Sequence, residues 1–74
     1  MRIYLKNARE RKGMSQADVA MKLDISESYY CLIENGQRQK VMDLTLAGSL
    51  SKILDLSLLE IIKEEQILKP VDAD

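Results

Sequence analysis

Histidine, tryptophan and phenylalanine are absent from this 74-residue sequence, and cysteine and proline each occur once. A single cysteine excludes an intramolecular disulfide, and one cysteine without histidine excludes the usual zinc sites. We therefore expect no metal or other cofactor, and a reduced, cytoplasmic setting. There is also no histidine base, no glycine-rich phosphate loop and no nucleophile elbow, so the sequence predicts that the protein is not an enzyme.

Long apolar runs are also missing. No window approaches the length of about 18 apolar residues that spans a membrane, and the N-terminal segment lacks the apolar run of a signal peptide. We expect no membrane partner. Three tyrosines are the only aromatic residues, so the core must be largely aliphatic. The length predicts one small domain, assigned to residues 1–66, with residues 67–74 as a C-terminal tail.

Charge is unevenly distributed, although the net charge is only −1. Residues 1–40 contain eight Lys and Arg against five Asp and Glu, whereas residues 41–74 contain three against seven. A basic front half and an acidic back half suit a domain that presents one face to phosphate. Chance asymmetry on a solvated surface explains the same numbers equally well, so charge alone does not decide.

Apolar residues recur at helical spacing, and no segment shows the period-two alternation of a strand. Capping and turn residues divide the chain into five short predicted helices, at residues 2–12, 16–23, 27–34, 43–54 and 58–66. Two N-terminal capping boxes are predicted, Ser15 with Asp18 and Ser57 with Glu60. The expected turn residues are Gly13, Asp24, Asn35-Gly36 and Asp55. The sequence thus predicts an all-α protein.

Residues 15–36 are the centre of this pattern. A capped helix is followed by a turn at Asp24 and by a second helix, whose Tyr30 and Ile33 face inward. The small Ala20 permits a close helix crossing, and Ile25 fills the core after the turn. Two helices joined by such a turn are common, and alone they are weak evidence for DNA binding.

The pattern S-Q-x-x-V-A-x-x-L-x-I-S…I-E-N-G resembles the lambda-repressor/Cro-like, or Xre-type, helix-turn-helix family. With the downstream L-S-K-I-L-D-L-S-L-L-E-I-I, the resemblance covers about residues 5–62. It implies a five-helix lambda-repressor-like domain with the helix-turn-helix at helices 2 and 3. It also implies a sequence-specific regulator of transcription, acting as a repressor, whose third helix enters the major groove of double-stranded DNA.

The resemblance further implies which residues bind DNA. The expected contacts are Ser15, Gln16, Glu27, Ser28, Tyr29, Cys31, Leu32, Asn35, Arg38 and Lys40. The first two would bind phosphate at the start of the second helix, Tyr29 would lie near the DNA backbone, and the other third-helix residues would face bases. The last three flank the contact, with Arg38 and Lys40 as charge contacts. Arg9 and Glu34 match positions that form a structural ion pair in this family.

Several residues keep two interpretations. Glu27 either stabilises the helix dipole or accepts a hydrogen bond from cytosine. Cys31 is expected to be a small groove-facing side chain or a partly buried filler, and a redox switch has the least support because the sequence shows no environment that would activate the thiol. Asp24 stands where the family often has glycine. The remaining cations of the first helix are expected to form a solvated face: Arg2, Lys6, Arg11 and Lys12.

A homodimer on a pseudo-palindromic operator is the expected assembly, because one small module usually lacks affinity. The apolar residues left after core assignment predict its interface at Leu59, Ile67 and Leu68, with Val71. Alternatively, Ile67 and Leu68 fold back to cover helix 1. The rival function is a protein-interaction module, such as an antitoxin or adaptor. With no room for a separate sensor domain, regulation is expected by occupancy or through a regulatory protein partner.

Overall fold

The computed structural model describes residues 1–68, which form five α-helices and no strand. The helices are α1 (Ile3–Arg11), α2 (Gln16–Leu23), α3 (Glu27–Glu34), α4 (Leu44–Leu54) and α5 (Leu58–Leu68). The predicted all-α class is confirmed, and α2 and α3 have the predicted bounds. The prediction for α5 was too short, since it continues to Leu68. Val71, which was named with the predicted dimer residues, lies outside the described residues.

The first four helices end in the same way. At each end a residue with positive φ reverses the chain: Gly13 (68°), Asp24 (62°), Gly36 (82°) and Asp55 (58°). The N–H group of the following residue then donates to a carbonyl in the last turn of the helix, as in the bond from Ile25 to Ala20 (3.0 Å). This Schellman arrangement satisfies carbonyls that the helix itself leaves free. All four turn residues were predicted from the sequence.

Three serines cap the starts of α2, α3 and α5. Ser15 and Asp18 form a reciprocal capping box, in which each side chain accepts from the other's backbone N–H group (3.0 and 2.9 Å). Hydrogen bonding from the Ser15 backbone N–H first, and from the Ser15 side chain second, holds the pKa of the Asp18 carboxyl below its ordinary value. The hydroxyl groups of Ser26 and Ser57 each accept a similar bond. The caps fix where each helix begins.

The core is aliphatic around one buried tyrosine. Helices α2 and α3 make the most extensive contact; α1 packs on α3 and α4, α4 packs on α2, and α5 packs on α4. The buried apolar side chains are Leu5, Ala8, Val19, Ala20, Tyr30, Ile33, Ala47, Leu50, Leu54, Leu56 and Ile61. Ala20 is buried on α2, the helix that packs most extensively on α3. Because α2 and α3 are each only eight residues long, this packing, rather than intrinsic propensity, must hold them.

Two expectations for the surface are wrong. Arg2 was expected on a solvated face, but only 3% of it is exposed. A run of internal acceptors, described below, surrounds its guanidinium and compensates its burial. Ile67 was considered as a cover for α1, but it is 74% exposed. Among residues 1–68, no helix combines the length and the apolar character needed to cross a bilayer.

Candidate nucleic-acid interface

Helix α3 has two chemically different sides. Tyr30, Ile33 and Glu34 are buried on one of them. At about 100° per residue, five of the predicted contacts lie on the other side of the helix, in an arc about 140° wide. They are Glu27, Ser28, Cys31, Leu32 and Asn35. The first two and Asn35 are exposed, and the other two are half-buried. This outer side of α3 carries no Lys or Arg.

The start of α2 offers backbone donors beside this helix. The first N–H groups of any helix lack a partner within it. The capping box uses the N–H of Asp18, which leaves those of Gln16 and Ala17 available to an external acceptor. Together with the dipole of α2 they favour an anion at this position. The oxygen of the Ser15 hydroxyl accepts the capping bond, so this hydroxyl could bind phosphate only by donating its own proton.

Glu34 joins three helices through its carboxylate. Its Oε2 accepts from Arg9 Nε (2.8 Å) and the Tyr30 hydroxyl (2.9 Å), and its Oε1 accepts from Arg9 Nη2 (3.2 Å) and Gln16 Nε2 (2.9 Å). The residue is only 1% exposed. Burial alone would raise the pKa of Glu34, but hydrogen bonds from Arg9, Gln16 and Tyr30 outweigh it and hold this pKa below its ordinary value.

This network changes the interpretation of Gln16. Its side-chain amide donates to Glu34, so Gln16 ties α2 to α3 and is only half exposed to an external phosphate. Two hydrogen bonds to Glu34 also hold the Arg9 guanidinium in place. The same bonds raise the pKa of Arg9. Tyr30, buried beside the same carboxylate, has a raised pKa, mainly from burial. The structure thus places Arg9 and Glu34 in direct contact.

The loop between α3 and α4 carries the two predicted charge contacts. Arg38 and Lys40 are exposed on it. Between them, Gln39 adopts a positive φ of 56°. Its side chain donates to the Tyr29 hydroxyl (3.2 Å) and accepts from the N–H of Asp43 (3.0 Å). Gln39 therefore links α3 to the start of α4. No local motif in the sequence indicated this role.

Internal ion pairs reduce the basic excess of the front half. Arg2 pairs with Glu65 and Arg9 pairs with Glu34. Of the eight cations in residues 1–40, six remain outside these pairs, and of the five acids there, four remain. The net charge that can face phosphate is therefore +2 rather than +3. Only Arg38 and Lys40 among the six follow α3 directly.

The residues predicted at the dimer interface do not share one face of α5. Leu59, Ile67 and Leu68 are 63%, 74% and 44% exposed. Leu59 and Leu68 are nine residues apart, however, and at about 100° per residue they point to opposite sides of the helix. All three side chains are exposed to solvent, but they cannot all contact one flat partner surface.

A different apolar surface is continuous. Leu58, Leu59 and Ile62 fall within about 100° of one another on α5, and all three are exposed. Ile62 also lines a groove between α5 and the start of α4, which exposed Val41 and Leu44 line from the other side. Sequence periodicity did not single out this groove, because it depends on how the α3–α4 loop packs near α5.

A model of the helix-turn-helix family matches residues 5–61. The match begins within α1, covers all of α2, α3 and α4, and ends within α5. Fold and match together define a helix-turn-helix protein. The chain belongs to the Xre-type, lambda-repressor-like helix-turn-helix family, as its sequence predicted.

A curated relative is the uncharacterised HTH-type transcriptional regulator YqaF of Bacillus subtilis (strain 168). It is 46% identical over 39 residues, which are 53% of this chain and 51% of the relative. The chain therefore spans about half the length of this relative. No solved structure matches the chain significantly. The matching family model describes a helix-turn-helix, and the name of the relative describes that protein as a transcriptional regulator.

Proposed function

We propose that the protein is a sequence-specific regulator that inserts α3 into the major groove of double-stranded DNA. The observation that carries this proposal is the division of α3: one side is fixed by buried Tyr30, Ile33 and Glu34, and the other is left open. A helix held in this way presents a rigid, solvent-facing row of side chains. That arrangement matches the recognition helix of a helix-turn-helix protein.

Phosphate contacts would position this helix, and base contacts would give it specificity. The N–H groups at the start of α2 and the cations Arg38 and Lys40 are the groups suited to phosphate. Ser28 and Asn35 can donate to base edges, Glu27 can accept from cytosine, and Leu32 can touch a thymine methyl group. Because α3 lacks cations, we expect sequence preference to rest on few contacts.

We further propose a homodimeric repressor, in a cytoplasmic setting, on an operator with two half-sites about one helical turn (roughly 34 Å) apart. The supporting observation is the exposed apolar surface of α5 around Leu59 and Ile62. A repressor of this kind acts by occupying its site. A regulatory protein partner would act on the same exposed surfaces.

Salt-dependent DNA binding by Arg38→Ala tests the proposed function. The absolute slope of log affinity against log salt falls by about 0.9 for each phosphate contact that is lost. We expect Arg38→Ala to lower the slope by about this amount, and Arg11→Ala, an exposed cation on α1, to leave it unchanged. Gln16→Ala is less informative, since it also breaks the bond to Glu34. An unchanged slope for Arg38→Ala would leave the rival function, a protein-interaction module, in place.

Selection of bound sites from a random DNA pool would then define the operator. We expect recovered sequences to contain a pseudo-palindrome with half-sites about one helical turn apart. Recovery of unrelated sequences would contradict sequence-specific binding even if the salt dependence of Arg38 holds.

A further inference from the structure

The guanidinium of Arg2 lies buried where α3, the following loop and α5 meet. Its Nε donates to Glu65 Oε2 (2.7 Å) and its Nη1 donates to the carbonyls of Ile33 (2.7 Å) and Arg38 (3.1 Å). Its Nη2 donates to the carbonyl of Gln39 and to Glu65 Oε1 (3.2 Å). Arginine has five N–H donors, so every one of them has an acceptor here.

Arg2 also holds the end of α3 through its backbone. Its N–H donates to the carbonyl of Glu34 (2.7 Å). The last carbonyls of a helix lack partners within it and attract a cation. The backbone N–H of Arg2 donates to the carbonyl of Glu34, and its charged guanidinium donates to the carbonyl of Ile33. The next two acceptors, on Arg38 and Gln39, lie in the loop that carries the proposed phosphate contacts.

Glu65 keeps the guanidinium in this orientation. Its carboxylate is mostly buried and accepts from Arg2 and from the Tyr4 hydroxyl. The planar, two-point pairing of Arg2 with Glu65 fixes the direction of the remaining donors, which a lysine could not reproduce. Helix α5 thereby supports the loop through Arg2.

We propose that Arg2, oriented by Glu65, is a positioning residue that sets the α3–α4 loop so that Arg38 and Lys40 meet DNA phosphate. This inference rests on the proposed function. Arg2 itself touches no DNA, because its donors are all used inside the protein. Two backbone carbonyls, those of Arg38 and Gln39, carry its effect to the cations on either side of Gln39.

Arg2→Lys is the discriminating variant, since it preserves net charge but supplies three donors on a flexible stem in place of the planar fork. The probe is a labelled DNA duplex of mixed sequence, titrated at several salt concentrations. We expect Arg2→Lys to weaken binding and to lower the salt slope toward that of Arg38→Ala/Lys40→Ala, by up to about 2. Arg11→Lys, the same exchange at an exposed position of α1, should retain the wild-type slope.

A double-mutant cycle separates positioning from general destabilisation. In the Arg38→Ala/Lys40→Ala background, Arg2→Lys should have no further effect on the salt slope, because the contacts it positions are already gone. An equal effect in both backgrounds, or none in the wild type, would overturn the inference while leaving the proposed function standing. If Arg38→Ala itself leaves the slope unchanged, the proposed function fails instead.

Amide hydrogen exchange gives an answer that does not depend on DNA. The N–H groups of Gln37 and Arg38 both donate to the carbonyl of Leu32. In Arg2→Lys, and in Glu65→Gln, we expect these two amides to exchange faster while that of Val19 in α2 keeps its protection. Unchanged exchange at Gln37 and Arg38 would show that the loop does not need Arg2, and would overturn the inference.

Discussion

At the scale of single residues, Glu34 gives the clearest case of a buried charge retained for geometry. Its two oxygens receive four hydrogen bonds from Arg9, Gln16 and Tyr30, so α1, α2 and α3 share one acceptor. A buried ion pair adds little net stability compared with an apolar replacement, but loss of one partner leaves the other charge buried and unpaired. The role of Glu34 is therefore to fix the relative positions of α1, α2 and α3.

Glu34→Ala should destabilise the protein by about 3–5 kcal/mol, because it strands the Arg9 guanidinium in a buried site. Urea unfolding at neutral pH measures this loss. Glu27→Ala, at an exposed position of the same helix, is the matched control and should stay within about 0.5 kcal/mol of wild type. A similarly small loss for Glu34→Ala would show that the network contributes nothing to the fold.

The same carboxylate predicts how stability depends on pH. The folded-state pKa of Glu34 lies below its ordinary value of 4.5. Its contribution is therefore fully present above that value, and is lost as pH falls through the lowered folded-state pKa. The difference in unfolding free energy between wild type and Glu34→Gln should accordingly shrink as the solution is acidified.

Urea unfolding from neutral pH into the acid range checks this expectation. Asp18, whose pKa is also lowered, should leave both proteins with a residual loss of stability in acid. Glu10→Gln, exposed on α1, serves as the control for removal of a carboxylate. A constant difference between wild type and Glu34→Gln at all pH values would argue against a lowered Glu34 pKa.

At the scale of elements, helix ends rather than helix interiors set the architecture. Each of α1 to α4 stops at a residue with positive φ, and the next N–H bonds back into the last turn. At three of these ends the following residue, Met14, Ile25 or Leu56, packs on the core. Each turn thus both ends a helix and directs the next one across the core.

Asp24 allows a direct test of this turn chemistry. Asp24→Val and Asp24→Gly both remove the carboxylate, but only valine is strained at a φ of 62°. We expect Asp24→Val to lose about 1–2 kcal/mol and Asp24→Gly to remain within about 0.5 kcal/mol of wild type. Thermal unfolding should show the difference, at roughly 4–8 °C for each kcal/mol. Equal melting temperatures for the two variants would mean that the left-handed turn is not required.

Local patterns in the sequence predicted these elements well because their causes are local. Capping serines, turn residues and apolar spacing lie within a few positions of the helix that they define, as at Ser15 and Asp24. Arg2 was mispredicted because its partner, Glu65, lies 63 positions away. The family resemblance supplied the Arg9–Glu34 pair, but nothing in the local pattern indicated the bridging role of Gln39.

At the scale of the whole molecule, polar and apolar surfaces are separated along the chain. The outer side of α3 is mainly polar and residues 37–40 after it are all polar, whereas α5 exposes Leu58, Leu59 and Ile62. Isolated exposed apolar residues are ordinary, but a continuous apolar patch usually indicates a contact surface. In the proposed function one α3 reads one half-site, so a second copy bound through α5 would double the phosphate and base contacts without any change at α3.

The oligomeric state therefore provides the final prediction. We expect wild-type protein to sediment as a dimer at micromolar concentration and Leu59→Glu to sediment as a folded monomer, because a buried carboxylate without a partner is costly in an apolar interface. Leu68→Glu places the same charge on the opposite side of α5, so an interface centred on Leu59 should survive it. Dissociation by Leu68→Glu alone would move the interface to the other side of the helix, and a clean wild-type monomer would contradict the dimer. If the dimer is correct, Leu59→Glu should bind a single half-site as wild type does per protomer, yet lose the added affinity for a paired site.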